Sequence, residues 1–316
     1  MSELYLIKQK RRINVVFEQK EASLPQTDFK FEERVSHAPL ERLEMQLNHL
    51  VGMDEVKRLI RELYAWLYVC KKRDEAHLKV EKHALHMLFK GNPGTGKTTI
   101  ARLLGKLFVE MGILDHGQMI EAERADLVGE YIGQTAQKTR ELIRKAAGGV
   151  LFIDEAYSLA RGGEKDFGKE AIDTLVKHMD DQQERFVLIL AGYPEEMEDF
   201  LDMNPGLPSR FPMILNFDDF SADQLLEIGK QMMKERQYIM TREAEKRLAQ
   251  HLIQVVQSEP DHFSNGRYVR NVVERMIRRQ AVRLVRESIF DRDALQMIRA
   301  CDMLEEVGSQ STEEMR

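Results

Sequence analysis

The segment GNPGTGKT, Gly91 to Thr98, stands directly after the apolar run LHMLFK and directly before the amphipathic stretch TIARLLGKLF. A GxxxxGK[ST] pattern between a strand and a helix leaves few architectures open, because the loop must sit at the carboxyl edge of a sheet with a helix N-terminus aimed into it. Backbone N–H groups converge on an oxyanion only where side chains stay clear, which is the use of Gly94 and Gly96. Lys97 is then able to reach the β- and γ-phosphates of a nucleotide. The Thr98 hydroxyl suits Mg²⁺, an ion that prefers oxygen ligands and keeps several waters. Gly91, Asn92, Pro93, Gly94, Thr95, Gly96, Lys97, Thr98 and Thr99 form the candidate binding set, with ATP and Mg²⁺ as the expected cofactors.

The rest of the chain supplies the sheet that such a loop requires. LHMLFK, QMIEAE, GVLFIDE, FVLILAGY and MILNF read as five strands, and several of the amphipathic segments between them are long enough for crossover helices. The expectation is an α/β P-loop module: a five-stranded parallel sheet sandwiched by helices. In GGVLFIDEA a buried strand carries Asp154 and Glu155 to the carboxyl edge, where ligands of such sheets bind. Asp154 fits Mg²⁺, directly or through water, and Glu155 fits a base that orients and deprotonates an attacking water.

After Phe220 no strand pattern remains. Ser221 with Gln224 forms a capping box before ADQLLEIGKQMMKER, Thr241 caps REAEKRLAQHLIQVV, and a last long helix lines up Val269, Val272, Val273, Met276 and Ile277. Its arginines, Arg270, Arg275, Arg278, Arg279, Arg283 and Arg286, read as solvated or facing a neighbouring subunit. The domain expectation is an N-terminal arm over 1–39, a nucleotide-binding domain over 40–220, an all-helical lid over 221–305 and a disordered tail over 306–316. Two helices joined near Val51 and Gly52 open the second of these.

Composition narrows the function classes. Apolar residues make up 43% of the 316, enough for a core, yet no apolar run approaches the roughly 20 residues of a membrane span. No signal-peptide core is visible, and a cytoplasmic location is expected. Cys70 and Cys301 stand far apart without CxxC company, against a zinc site or a disulfide framework. A net charge of -6 gives no overall attraction to nucleic acid, so none is expected as a partner.

HMLFKGNPGTGKTTIARLLGKLF, ADLVGEYIGQTAQKTRELI, GVLFIDEAYSLARGGEKDFGKEAIDTLVKHMDD and NPGLPSRFP together resemble an AAA+ ATPase, and the likeness covers roughly residues 45–305. Within that superfamily the chain is similar to the bacterial family containing stage V sporulation protein K and the red-type Rubisco activases. The wording of AYSLARGGEKDFGKEAIDTLVKHM sits nearest the sporulation branch. The resemblance implies a homo-oligomeric, hexameric ring acting on a protein client that the sequence does not name.

That resemblance assigns further residues. Arg210 in PSRF matches the arginine finger that enters a neighbour's nucleotide site, the alternative being a surface ion pair. Arg267 in SNGRYVRN matches the lid arginine that senses the γ-phosphate, with Arg270 one turn on as the other choice. Leu50 to Lys57 matches either an adenine-contacting segment or a plain helix junction. Tyr131, Ile132 and Gly133 match an aromatic–hydrophobic–glycine pore loop, which in a ring would grip an extended peptide without reading its sequence. Tyr131 could instead pack on its own protomer. Residues 160–168 read as a second pore element or a mobile loop. One departure stands out: after FVLILA the family pattern calls for a small polar residue, yet Gly192 and Tyr193 occupy the place, and Asn204 comes only after the next helix. Two rivals therefore stay open beside a protein remodeller of sporulation or Rubisco-activating type: a nucleic-acid motor of the same superfamily, and a nucleotide-gated scaffold that turns over too slowly for work.

Overall fold

Neighbouring residues of the central strands point to opposite layers, and that alternation builds the molecule. The computed structural model describes residues 38–303, apart from 81–83, 132, 162–166, 182–185, 205 and 259–262. The arm expected over 1–39, all but its last two residues, and the tail expected over 306–316 lie outside the described residues. Helices α1 (Ala38–His49) and α2 (Asp54–Glu75) come first, with a left-handed turn at Gly52 and Met53 between them. There follow β1 (Met87–Gly91), α3 (Lys97–Glu110), β2 (Met119–Ala122), α4 (Arg124–Leu127), α5 (Gln134–Lys145), β3 (Val150–Ile153), α6 (Gly168–Asp181), β4 (Val187–Gly192), α7 (Pro194–Asp202) and β5 (Met213–Phe217).

The strands form one parallel sheet in the order β2-β3-β4-β1-β5. On one face Met87, Phe89, Val150, Phe152, Val187 and Ile189 pack with α1, α2 and α3. On the other, Leu88, Leu151, Ile153, Leu188 and Leu190 meet residues of α5, α6 and α7. Both faces are covered, so the strands read as nearly unbroken apolar runs. Because β3, β4 and β1 are neighbours, the segments that leave their carboxyl ends emerge side by side.

The lid comprises α8 (Ala222–Glu235), β6 (Ile239–Met240), α9 (Arg242–Ser258), α10 (Asn265–Glu287), α11 (Arg292–Gln296) and β7 (Met297–Ile298). Ser221 and Gln224 form a reciprocal cap on α8, and Thr241 Oγ1 accepts the Ala244 N–H at 3.2 Å. Val269, Val272, Val273 and Met276 are buried in the lid core. The lid is not wholly helical, since β6 and β7 pair in parallel through Ile239–Met297 and Met240–Ile298. Two residues per strand are too few to show an alternation, which is why no strand pattern is visible after Phe220.

Side chains hold that ladder in place. Gln280 Nε2 donates to the carbonyls of Ala294 and Leu295 at 3.0 and 2.8 Å. Arg283, expected among the solvated arginines, instead grips Asp302 in a two-point pair at 2.9 and 3.0 Å, which raises its pKa. No helix among the described residues is long and apolar enough to cross a membrane.

Candidate functional site

A cleft of about 1000 Å³ opens where the carboxyl ends of β1, β3 and β4 face the lid. That is at the upper end of the size usual for small-molecule sites. The glycine loop forms its floor through Gly91, Pro93, Gly94 and Gly96, and the start of α3 adds Lys97, Thr98 and Thr99. Asn92 and Thr95 belong to the same loop, but their side chains turn elsewhere. Asn92 Nδ2 donates to Asp219 at 2.9 and 3.1 Å, and buried Thr95 bonds the Asn92 carbonyl at 2.8 Å. What these two residues can offer a phosphate is backbone N–H.

Lys97 Nζ donates to the Gly91 and Asn92 carbonyls at 2.6 and 2.9 Å. Its pKa is lowered, first by burial, with Arg267 pushing the same way and Asp154, Asp219 and Glu155 opposing. Asp154 extends the β3 ladder through its N–H to the Ala122 carbonyl, and its Oδ1 accepts the Glu155 N–H at 3.0 Å. Glu155 is exposed and has φ 48°, a left-handed backbone that a non-glycine residue holds only under constraint from its surroundings. Strained positions of this kind cluster at functional sites, and this one turns the carboxylate out of the sheet edge into the cleft. The Thr98 hydroxyl and the Asp154 carboxylate are the oxygen donors that a Mg²⁺ ion would accept.

The strand end where a small polar residue was expected has a steric explanation. A Cβ at Gly192 would lie 2.7 Å from both Met197 Sδ and Tyr157 Cδ1, so a side chain there would force those two buried residues to shift. The first side chain after β4 that lines the cleft is Tyr193, whose ring lies 5.9 Å from that of Tyr157. Burial and the nearby Glu155 carboxylate push the Tyr157 hydroxyl up to about 12. Asn204 is engaged elsewhere: its Nδ2 caps the Phe200 carbonyl and its carbonyl accepts from Leu207, which shapes the turn leading to Arg210.

Arg267 and Arg270 both line the cleft from α10, and it is Arg267 whose charge bears on Lys97. Leu50, Val51 and Met53 line it from the α1–α2 junction. Several lining residues carry no chemical signature in the sequence: His49 from α1, and Gln231, Met232 and Glu235 from α8. A capping box locates α8, but nothing in its pattern says which face meets a ligand. Arg210 is not among the lining residues; it is half-buried, with Nη1 donating to the Gly206 carbonyl at 2.7 Å. Tyr131 is 67% exposed, Gly133 precedes α5 with φ 82°, and Ile132 lies outside the described residues, as do residues 162–166 of the second loop.

Gly94 is where the loop meets the lid. Its φ is 73°, and an added Cβ would fall 2.3 Å from the Ser264 carbonyl and 2.7 Å from the Arg267 nitrogen, both backbone atoms. Gly94→Ala should therefore destabilise the folded chain by about 1–3 kcal/mol through overpacking. Thermal melting checks it, and a melting point equal to that of the wild type would contradict the packing described.

Comparison with known proteins follows the same division. Residues 87–219 match the ATPase family associated with various cellular activities (AAA), and residues 221–313 match the AAA lid domain. Stage V sporulation protein K of Bacillus subtilis (strain 168) is 60% identical over 268 residues, covering 84% of this chain and 83% of its own. A chloroplastic ribulose bisphosphate carboxylase/oxygenase activase of Cyanidioschyzon merolae is 46% identical over 236 residues, covering 74% and 80%. Among solved structures, a RuvB mutant of Thermotoga maritima superposes with a TM-score of 0.51 over 79% of this chain and 70% of that one, at 20% identity, a likeness of fold.

Proposed function

The chain belongs to the AAA+ ATPases, with an AAA module followed by an AAA lid, and from that membership and the geometry of the cleft we propose a hexameric ring that hydrolyses ATP at its subunit seams to remodel a protein client. The observation that carries this reading is a separation. One cleft gathers Lys97, Thr98, Asp154, Glu155 and Arg267, while Arg210 is not among its lining residues. An arginine that does not line its own pocket suits the pocket of the next copy. Head-to-tail contacts of that kind close into a ring when the rotation between copies is right.

In this reading the module over 40–220 binds nucleotide and the lid over 221–305 reports on it. Loop N–H groups and Lys97 cradle the phosphates, and Thr98 and Asp154 hold Mg²⁺. Bound Mg-ATP supplies the transferable phosphoryl group and the charge to be neutralised. Glu155 orients a water and takes its proton on the carboxylate, and Arg210 of a neighbouring copy meets the charge that develops in the transition state. Tyr193, the first side chain after β4 that lines the cleft, is the group available to hold that water from the other side.

The client side rests on Tyr131. The two-thirds exposure of this large aromatic supports a reading in which it wedges against an extended polypeptide rather than packing on its own subunit. Tyr131→Ala should leave basal ATP turnover near wild type and abolish extraction of a client. Tracking release of a tagged client alongside phosphate production tests this, and undiminished extraction would remove the pore reading. The 60% identity to a stage V sporulation protein supports a role in bacterial spore formation. Co-purification from sporulating cells examines that role.

A further inference from the structure

At the root of α10 lies a side-chain network that the chemistry above leaves unused. Asn265, the first residue of the helix, is 0% exposed and has φ 46°, a left-handed backbone that asparagine tolerates better than most side chains. Its Oδ1 accepts the Phe220 N–H at 2.9 Å, and its Nδ2 donates to Asp219 Oδ1 at 2.7 Å and to the Phe263 carbonyl at 3.0 Å, with the Pro93 carbonyl at 3.4 Å. The Phe220 contact fixes the amide's orientation, since a flip would set donor against donor.

Asp219 belongs to the linker between β5 and α8, and it also accepts from Asn92 Nδ2. The Asn92 carbonyl is in turn one of the two acceptors of Lys97 Nζ. The Gly266 N–H completes the contact by donating to the Gly94 carbonyl at 3.1 Å. Three parts of the chain thus meet at one amide and one carboxylate: the glycine loop, the linker that leads into the lid, and the root of the lid helix.

Apolar packing already anchors α10 through Val269, Val272, Val273 and Met276. Such packing tolerates sliding, whereas hydrogen bonds weaken steeply with angle and distance, so the network is either made or broken. Arg267, which lines the cleft, lies two residues beyond Asn265.

We propose that Asn265 and Asp219 are positioning residues forming a latch that seats the root of α10 on the glycine loop, aims Arg267 into the cleft, and couples lid angle to the loop that holds Lys97. The latch rests on reading the glycine loop as the nucleotide site. When α10 swings, the Asn265–Asp219 contact parts first and Asp219 is left holding Asn92 alone. When the loop tightens on phosphate, the same chain of bonds draws the lid down.

The test uses the full chain with a fluorescent ATP analogue and Mg²⁺. Asn265→Gly removes the amide while keeping the left-handed backbone accessible, and it should weaken analogue binding about tenfold, the worth of one hydrogen bond to a charged group. Hydrogen exchange should quicken at the Phe220 and Gly266 amides while those of β1 stay unchanged; a purely structural role would quicken both. In the double variant Asp219→Asn, Asn265→Gly either change alone has already lost the shared contact, so the loss of binding should fall short of the sum of the two single variants.

Asp219→Asn, at an exposed position, gives the same reading should Asn265→Gly fail to fold: weakened binding supports the latch, and binding equal to wild type overturns it. Wild-type binding in Asn265→Gly, or a double variant that loses the full sum of the two single variants, likewise overturns it. Lys97→Ala separates the two levels. If it abolishes binding while Asn265→Gly binds like the wild type, only the latch fails; if Lys97→Ala binds undiminished, the nucleotide site falls and the latch with it.

Discussion

Glu155→Gln should lower ATP turnover by roughly 10²–10⁴-fold, the usual worth of a general base, while leaving affinity for Mg-ATP close to wild type. Glutamine keeps the volume and the left-handed backbone of Glu155 but cannot accept a proton. Asp154, which receives the Glu155 N–H, is untouched by the change, so the oxygen donors for Mg²⁺ stay in place. Single-turnover hydrolysis beside equilibrium binding checks the split. Turnover indifferent to the substitution would favour a nucleotide-gated scaffold over a motor. The same variant should hold its client, because a subunit that binds ATP and cannot spend it does not release.

Arg210→Ala should cost about 10³-fold or more in turnover, the range found for arginine fingers, with nucleotide binding to each subunit retained. Mixing gives the sharper result. Arg210→Ala subunits contribute an intact Glu155 and Glu155→Gln subunits an intact Arg210, so a mixture of two inert proteins should regain activity at about a quarter of its seams if copies join head to tail at random. A mixture as dead as its parts, or an Arg210→Ala protein at full speed, would put the whole catalytic set in one subunit. In the structure Arg210 donates to the Gly206 carbonyl and is not among the residues lining the cleft of its own subunit.

The sheet and its loop were legible because their signals are local. β3 and β4 are continuous apolar runs, β1, β2 and β5 are broken only by Lys90, Glu121 and Asn216, and the glycine loop must lie between a strand and a helix wherever it occurs. The lid was legible as helices through Ser221, Gln224 and Thr241, whose caps form as their spacing implies. Its two-residue ladder was not, because Ile239 and Met297 are far apart in sequence and each strand is too short for a period. Arg283 shows the same limit from the side of charge: its partner, Asp302, lies on a later turn, and nothing in the arginine-rich run marks one member as paired. At Gly192 the sequence registers a departure from the family pattern without its reason, which is the space already taken by Met197 and Tyr157. Asn265 gave no warning at all, since an asparagine before a helix reads as an ordinary cap.

The strand order also sets a schedule. β1 leads directly into the glycine loop, yet its partners arrive late: Met87 pairs with Ile189 on one side and Met213 on the other. Parallel pairings between such distant segments are slow to form. A chain emerging from the ribosome therefore carries its phosphate-binding motif long before it has anything to hold that motif in shape. Nascent chains stalled short of Met213 should be unable to retain ATP, and the capacity should appear only when the last strand of the sheet has been made.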